Sequence, residues 1–123
     1  MKINRSHAVS VAADAFRSYG ISDADAKQTA KVLVSADARG KHSHGLLRLP
    51  RFIRGIEHGN VIADGDITLD STEGATATLN GGSRLGPVVA SVAVDEAMSR
   101  ANEFGISAIG VHNSNHLAIL GYY

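Results

Sequence analysis

Apolar residues recur along this chain at two different periods. In the first segment Val9, Ala12, Ala13, Phe16 and Tyr19 fall three or four apart, which predicts an amphipathic helix with Gly20 as its stop. "SDAD" then opens a second helix. Ser22 stands where a cap is needed, Asp25 holds the capping-box position, and both carboxylates suit the positive end of the helix dipole. Ala26, Ala30 and Leu33 give that helix its apolar stripe, and Gly40 ends it. In "LLRLPRFIRGIEHG", Leu46, Leu49, Ile53 and Ile56 predict a third helix stopped by Gly59. Pro50 fits only the first turn of such a helix, so bent or irregular backbone is expected before it.

Farther on the period changes to two. "DITLD" and "ATATLN" read as short strands separated by Ser, Thr, Glu and Gly. The turn "GGSRLGP" leads into a longer helix with Ala90, Ala93, Val94, Ala97, Ala101 and Phe104 on its apolar face. Glu96 and Arg100 form a correctly oriented i,i+4 pair on another side. Gly105 closes the helix, and "ISAIGV" reads as a buried strand running into "HNSNH". An apolar segment is only beginning at "LAILGYY", so the sequence is expected to be the N-terminal portion of a longer polypeptide. The fold class is α/β (α+β): a helical region over 1–60, then the start of an α/β domain over 61–123.

Composition narrows the function. With 44% hydrophobic and 20% charged residues the chain is globular in character. It has no cysteine, which excludes disulfides, thiolate catalysis and cysteine-held zinc. A formal net charge of zero argues against a nucleic-acid or anionic-membrane partner. The first two helices with "YGIS" between them imitate a helix-turn-helix, but "SDAD" puts acids where phosphate contacts belong. No run approaches the roughly 20 apolar residues of a membrane span. The N-terminus also lacks the apolar stretch of a signal peptide, so a cytoplasmic protein is expected.

The charge is unevenly spread. Arg39, Lys41, Arg48, Arg51 and Arg54 lie between Asp37 and Glu57 with no acid among them. That segment suits a small anionic ligand, or a solvated basic helix face. Its centre is "HSHG", two histidines around Ser43. An imidazole with a pKa of about 6.5 can exchange a proton at working pH, and a serine hydroxyl can donate to or accept from an oxygen. Arg48 offers a planar fork that matches a carboxylate. The alternatives are a helix cap with exposed histidines, or a metal site. His42 with His44, or His112 with His116, would need a third ligand for zinc. A second polar cluster, "VHNSNH", follows a predicted strand, where rigid scaffolds display binding groups.

"HSHGLLRLPRF", "SRLGPVVASVAVDEAM" and "VHNSNHLAILGYY", in this order and spacing, resemble the type-2 malate/L-lactate dehydrogenase family, and the resemblance spans the chain from the first helix to Tyr123. It implies an enzyme moving a hydride between NAD or NADP and the α carbon of a small 2-oxo/2-hydroxy acid. It also implies a non-Rossmann cofactor domain on a largely antiparallel sheet, and a homodimer; no G-x-G-x-x-G occurs here. By motif position His116 matches the family's general acid/base, Ser43 and His44 its histidine–serine pair, and Arg48 its carboxylate-gripping residue. Phe52 stands where some members carry a substrate-contacting tyrosine. Leu117 and Ala118 replace an aromatic residue and a glycine. Lysine and aspartate partners and most cofactor contacts are expected beyond Tyr123. Arg51 and Arg54 are expected to be solvated or at a subunit contact, and His58 to be a surface residue favourably placed at a helix C-terminus.

Overall fold

A computed structural model describes residues 2–123. Helix α1 spans Arg5–Arg17, and the Asn4 side chain caps it by accepting the Ser6 N–H at 2.8 Å. Tyr19 lies beyond the helix end and is exposed, contrary to its expected place on the apolar face. A hydrogen bond to Glu57 holds its hydroxyl pKa above the ordinary value.

Helix α2 spans Asp23–Ala38, and the Ser22 hydroxyl accepts the Asp25 N–H at 3.3 Å. Only half of the capping box forms. The Asp25 carboxylate pairs with the Arg84 guanidinium instead of returning to the Ser22 backbone. Ala26, Ala30 and Leu33 are fully buried as their spacing predicts, but so are Thr29, Val32 and Ala36, with Val34 and Ser35 nearly so. The helix packs on α1, on the long helix α4 (Gly86–Phe104), and on two 3-10 turns at His42–His44 and Leu46–Arg48. The side of α2 that stays exposed carries Asp23, Ala24, Lys27 and Lys31, and Lys27 is paired with Asp23 at 2.7 Å.

The second 3-10 turn runs directly into helix α3, Leu49–Glu57, with Pro50 in its first turn. The missing N–H of proline breaks no bond there. Phe52 and Ile53 face inward and join Phe16, Leu33, Val61, Leu85, Val88 and Ala118 in one core. This core takes side chains from both the helical region and the segment after residue 60.

Strand β1 (Thr68–Glu73) pairs antiparallel with β2 (Thr76–Asn80), and β3 (Ala108–His112) pairs parallel with β2 after the α4 crossover. The hairpin is tighter than the alternation suggests. Ser71, Thr72 and Glu73, expected as separators, are paired with Thr78, Ala77 and Thr76, leaving Gly74 (φ 53°) and Ala75 to make the turn. Register slips between Leu69 and Ser71, which makes Asp70 a bulge residue. Glu96 and Arg100 pair at 2.7 Å, and the guanidinium also donates to the Gly74 carbonyl at 2.7 Å, tying α4 to the hairpin.

Two expectations about burial fail. "ISAIGV" is mostly exposed as β3, and Phe104 is exposed on α4. Both apolar faces are present as the pattern requires, but within these residues only the first turns of α4, at Val88 and Val89, are covered. No helix among the described residues is long and apolar enough to cross a membrane.

Candidate active site

One carboxylate shapes the first loop. From the last turn of α2, Asp37 accepts the Leu46 N–H at 2.8 Å through Oδ2 and the His42 Nδ1–H at 2.9 Å through Oδ1. Gly45 lies so close that a Cβ there would stand 2.2 Å from the same carboxylate, which requires glycine. The loop therefore wraps around Asp37, with the Ser43 hydroxyl 3.0 Å from His44 Nδ1. Arg48 Nε donates to the Ser43 carbonyl at 2.6 Å, so the substrate-fork candidate is fixed to the histidine loop by its own stem.

The second loop is held by Asn115. Its side-chain amide donates to the carbonyls of Ser83 at 2.8 Å, Arg84 at 3.0 Å and Asn60 at 3.2 Å. The backbone carbonyls of Asn115 and His116 press on Gly86, the first residue of α4, where a Cβ would meet them at 2.2 and 2.3 Å. After His116 the chain turns sharply. Ala118 adopts φ 66°, the left-handed region that glycine occupies at no cost, and it is buried. In that turn the Ala118 N–H donates to His116 Nδ1 at 3.0 Å.

The two loops meet. The His44 and His116 rings are 5.7 Å apart between centroids, and the Phe52 ring stands edge-on to His116 at 6.2 Å. Phe52 in turn packs edge-on against Phe16 at 6.1 Å, linking the imidazole to the core. His116 lines a cavity of about 280 Å³ together with Arg48, Arg51, Phe52, Arg54 and Asn115, among others. None of its described lining residues is acidic. Burial, followed by the positive charges of Arg48, His44 and Arg51, holds the His116 pKa below the ordinary histidine value.

Five residues singled out from sequence fall into this arrangement, but not equally. Arg48, Phe52 and His116 line the cavity. His44 adjoins it through the His116 ring, and Ser43 stands behind His44. Phe52 presents no hydroxyl and is buried, so it supports the imidazole by packing. Arg51, Arg54 and His58 are exposed, as expected, and they line the cavity as well. From Arg48 the successive steps to Arg51, Arg54 and His58 are three, three and four residues, a spacing that places them on one face of a helix. Asp37 and Asn115 were missed as organisers. His112 turns away and donates from Nε2 to the Asp70 carboxylate at 2.5 Å. His112 and His116 thus do not converge, and among the described residues no three His, Asp or Glu side chains gather as a metal would need.

The sequence profile of the malate/L-lactate dehydrogenase family matches residues 3–123. The chain belongs to that family. L-sulfolactate dehydrogenase of Methanothermobacter thermautotrophicus is 35% identical over 123 residues, all of this chain and 36% of its own length. Malate dehydrogenase from Pyrococcus horikoshii superposes with a TM-score of 0.97 at 33% identity, covering 100% of this chain and 35% of that one. Sulfolactate dehydrogenase from Methanocaldococcus jannaschii gives 0.96 at 34% identity, covering 100% of this chain and 36% of its own. The chain thus spans about a third of the length of these family members.

Proposed function

We propose that this chain carries the substrate-binding and proton-handling side of an NAD(P)-dependent oxidoreductase that interconverts a small 2-oxo acid and its 2-hydroxy acid. The observation that carries the reading is the cavity itself: Arg48, Arg51 and Arg54 supply positive charge without a described lining carboxylate, and His116 lines the same cavity. Arg48 grips the acid's carboxylate in bidentate fashion, which holds the neighbouring C2 oxygen against the imidazoles. Phe52 excludes water from one side of that oxygen. Two further guanidiniums favour an acid with a second anionic group, malate- or sulfolactate-like, over lactate.

The residues present fit the acid and the reacting oxygen. A whole dinucleotide exceeds about 280 Å³, so its two nucleotide halves are held outside this cavity. When bound, a nicotinamide supplies or takes the hydride at C2. A homodimer in the cytoplasm, and a division into a helical part over 1–60 and an α/β part over 61–123, belong to the same proposal and rest on the resemblance and the sequence pattern.

The test is an absorbance assay of the complete polypeptide that carries this sequence, with NADH and NADPH against pyruvate, oxaloacetate and sulfopyruvate. Arg48→Ala is expected to raise KM for every acid that is turned over. Failure of all acids with both cofactors, in protein shown to be folded, would overturn the proposal.

A further inference from the structure

The hydrogen bond between Ala118 and His116 bears on which group moves the proton. A backbone N–H can only donate, so His116 Nδ1 accepts and must carry a lone pair. A neutral imidazole in that state carries its one proton on Nε2, for which no partner exists among the described residues. Protonating Nδ1 would set an N–H against the Ala118 N–H and leave that part-buried amide without its acceptor. The surrounding cations act in the same direction. Arg48, Arg51 and His44 all disfavour a positive His116, and Asp37, the carboxylate at the base of the His44 loop, is engaged by His42 and the Leu46 N–H.

We infer that the Ala118 backbone N–H locks His116 as the neutral Nε2–H tautomer, making His116 a hydrogen-bond donor to the substrate oxygen and leaving proton transfer to His44. The inference rests on the proposed 2-oxo acid chemistry for its role, but not for its tautomer. In the reduction, hydride adds to C2, the carbonyl π pair moves onto oxygen, and the His116 Nε2–H stabilises the growing negative charge. The oxygen then takes a proton from the His44 imidazolium, which becomes neutral; the oxidation runs the same steps backwards. Nε2 of His116 cannot accept the hydroxyl proton in that direction, because it already bears one. Ala118 is then a positioning residue, acting through His116.

Two measurements test this. In 15N-histidine-labelled complete polypeptide without ligand, long-range 1H–15N spectra report each ring's tautomer, and the His116→Gln spectrum assigns the missing set. Near neutral pH, His116 is expected to show an unprotonated Nδ1 and a protonated Nε2. A protonated Nδ1, in either the other tautomer or the imidazolium, overturns the inference whatever substrate the enzyme uses. The second is a substitution pair in the assay above. Glutamine keeps an N–H donor but cannot deliver a proton. His116→Ala is expected to lose about 10²–10³-fold in kcat, the size of a lost oxyanion donor, and His116→Gln at most about tenfold. Equal losses in the two variants would assign the proton to His116 and overturn the division of roles.

Discussion

Asp37 offers the sharpest test of how the histidine loop is built, because two substitutions separate its two bonds. Asp37→Ala removes the acceptor for the Leu46 N–H, which is only partly exposed, together with the ion pair to His42. A charged acceptor for a backbone N–H contributes about 1.5–3 kcal/mol, whereas a solvent-exposed pair contributes about 0–1 kcal/mol. The His42 side chain is 69% exposed, so the second bond belongs at the low end. Loss of about 2–3 kcal/mol of unfolding free energy is expected for alanine. Asp37→Asn keeps an oxygen for Leu46 and loses only the ionic part, so it should cost less than about 1 kcal/mol. Urea unfolding of the complete polypeptide, followed by circular dichroism, separates the two. Equal destabilisation by alanine and asparagine would show that the charge, not the backbone bond, organises the loop, and the argument for Asp37 would fail. In the assay both variants retain Arg48, but only alanine should misplace His44 and lower kcat.

Gly86→Ala should displace the second loop, since its methyl would overlap the Asn115 and His116 carbonyls. Overpacking of this kind costs about 1–3 kcal/mol, and kcat should fall while KM moves less. Thr29→Val is expected to stabilise the protein by about 1 kcal/mol in thermal unfolding, because the Thr29 hydroxyl is fully buried without a partner among the described residues. Arg48→Met should raise the His116 titration midpoint towards the ordinary histidine value in an NMR titration, since a positive neighbour is removed while the aliphatic stem is largely kept. The sign for stability follows from the same shift. The folded His116 pKa is lowered, so unfolded chains bind the proton first as pH falls. Its neutral-state contribution is complete above the unfolded value of about 6.5 and declines as pH drops through it. His116→Gln should flatten that part of the stability–pH curve.

Local signals governed the helices, and long-range ones governed the site. Ser22 caps α2 and Pro50 starts α3 because both effects act within one turn, where spacing alone specifies the partner. Asp25 shows the limit of that reasoning: its capping-box spacing is satisfied, yet a guanidinium 59 positions away competes for the carboxylate and wins. Arg84 lies in the turn that begins α4, so this bond also fixes where that helix starts relative to α2. The burial of β3 was misread for a different reason. "ISAIGV" encodes an apolar strand, but burial needs a second layer, and these residues cover only about a third of a family member's length.

The site itself was half legible. Histidine, serine and arginine announce acid–base and carboxylate chemistry by type, which is why His44, Ser43, Arg48 and His116 could be named from sequence. What no side-chain inventory conveys is a backbone donor. The group that decides the protonation state of His116 is the amide of an alanine whose side chain is a buried methyl. Alanine there carries a cost of about 1–2 kcal/mol for its left-handed backbone. Glycine at that position would relieve the strain and keep the same N–H. Alanine in place of glycine therefore leaves the hydrogen bond intact, because the bond depends on the turn rather than on the residue that makes it.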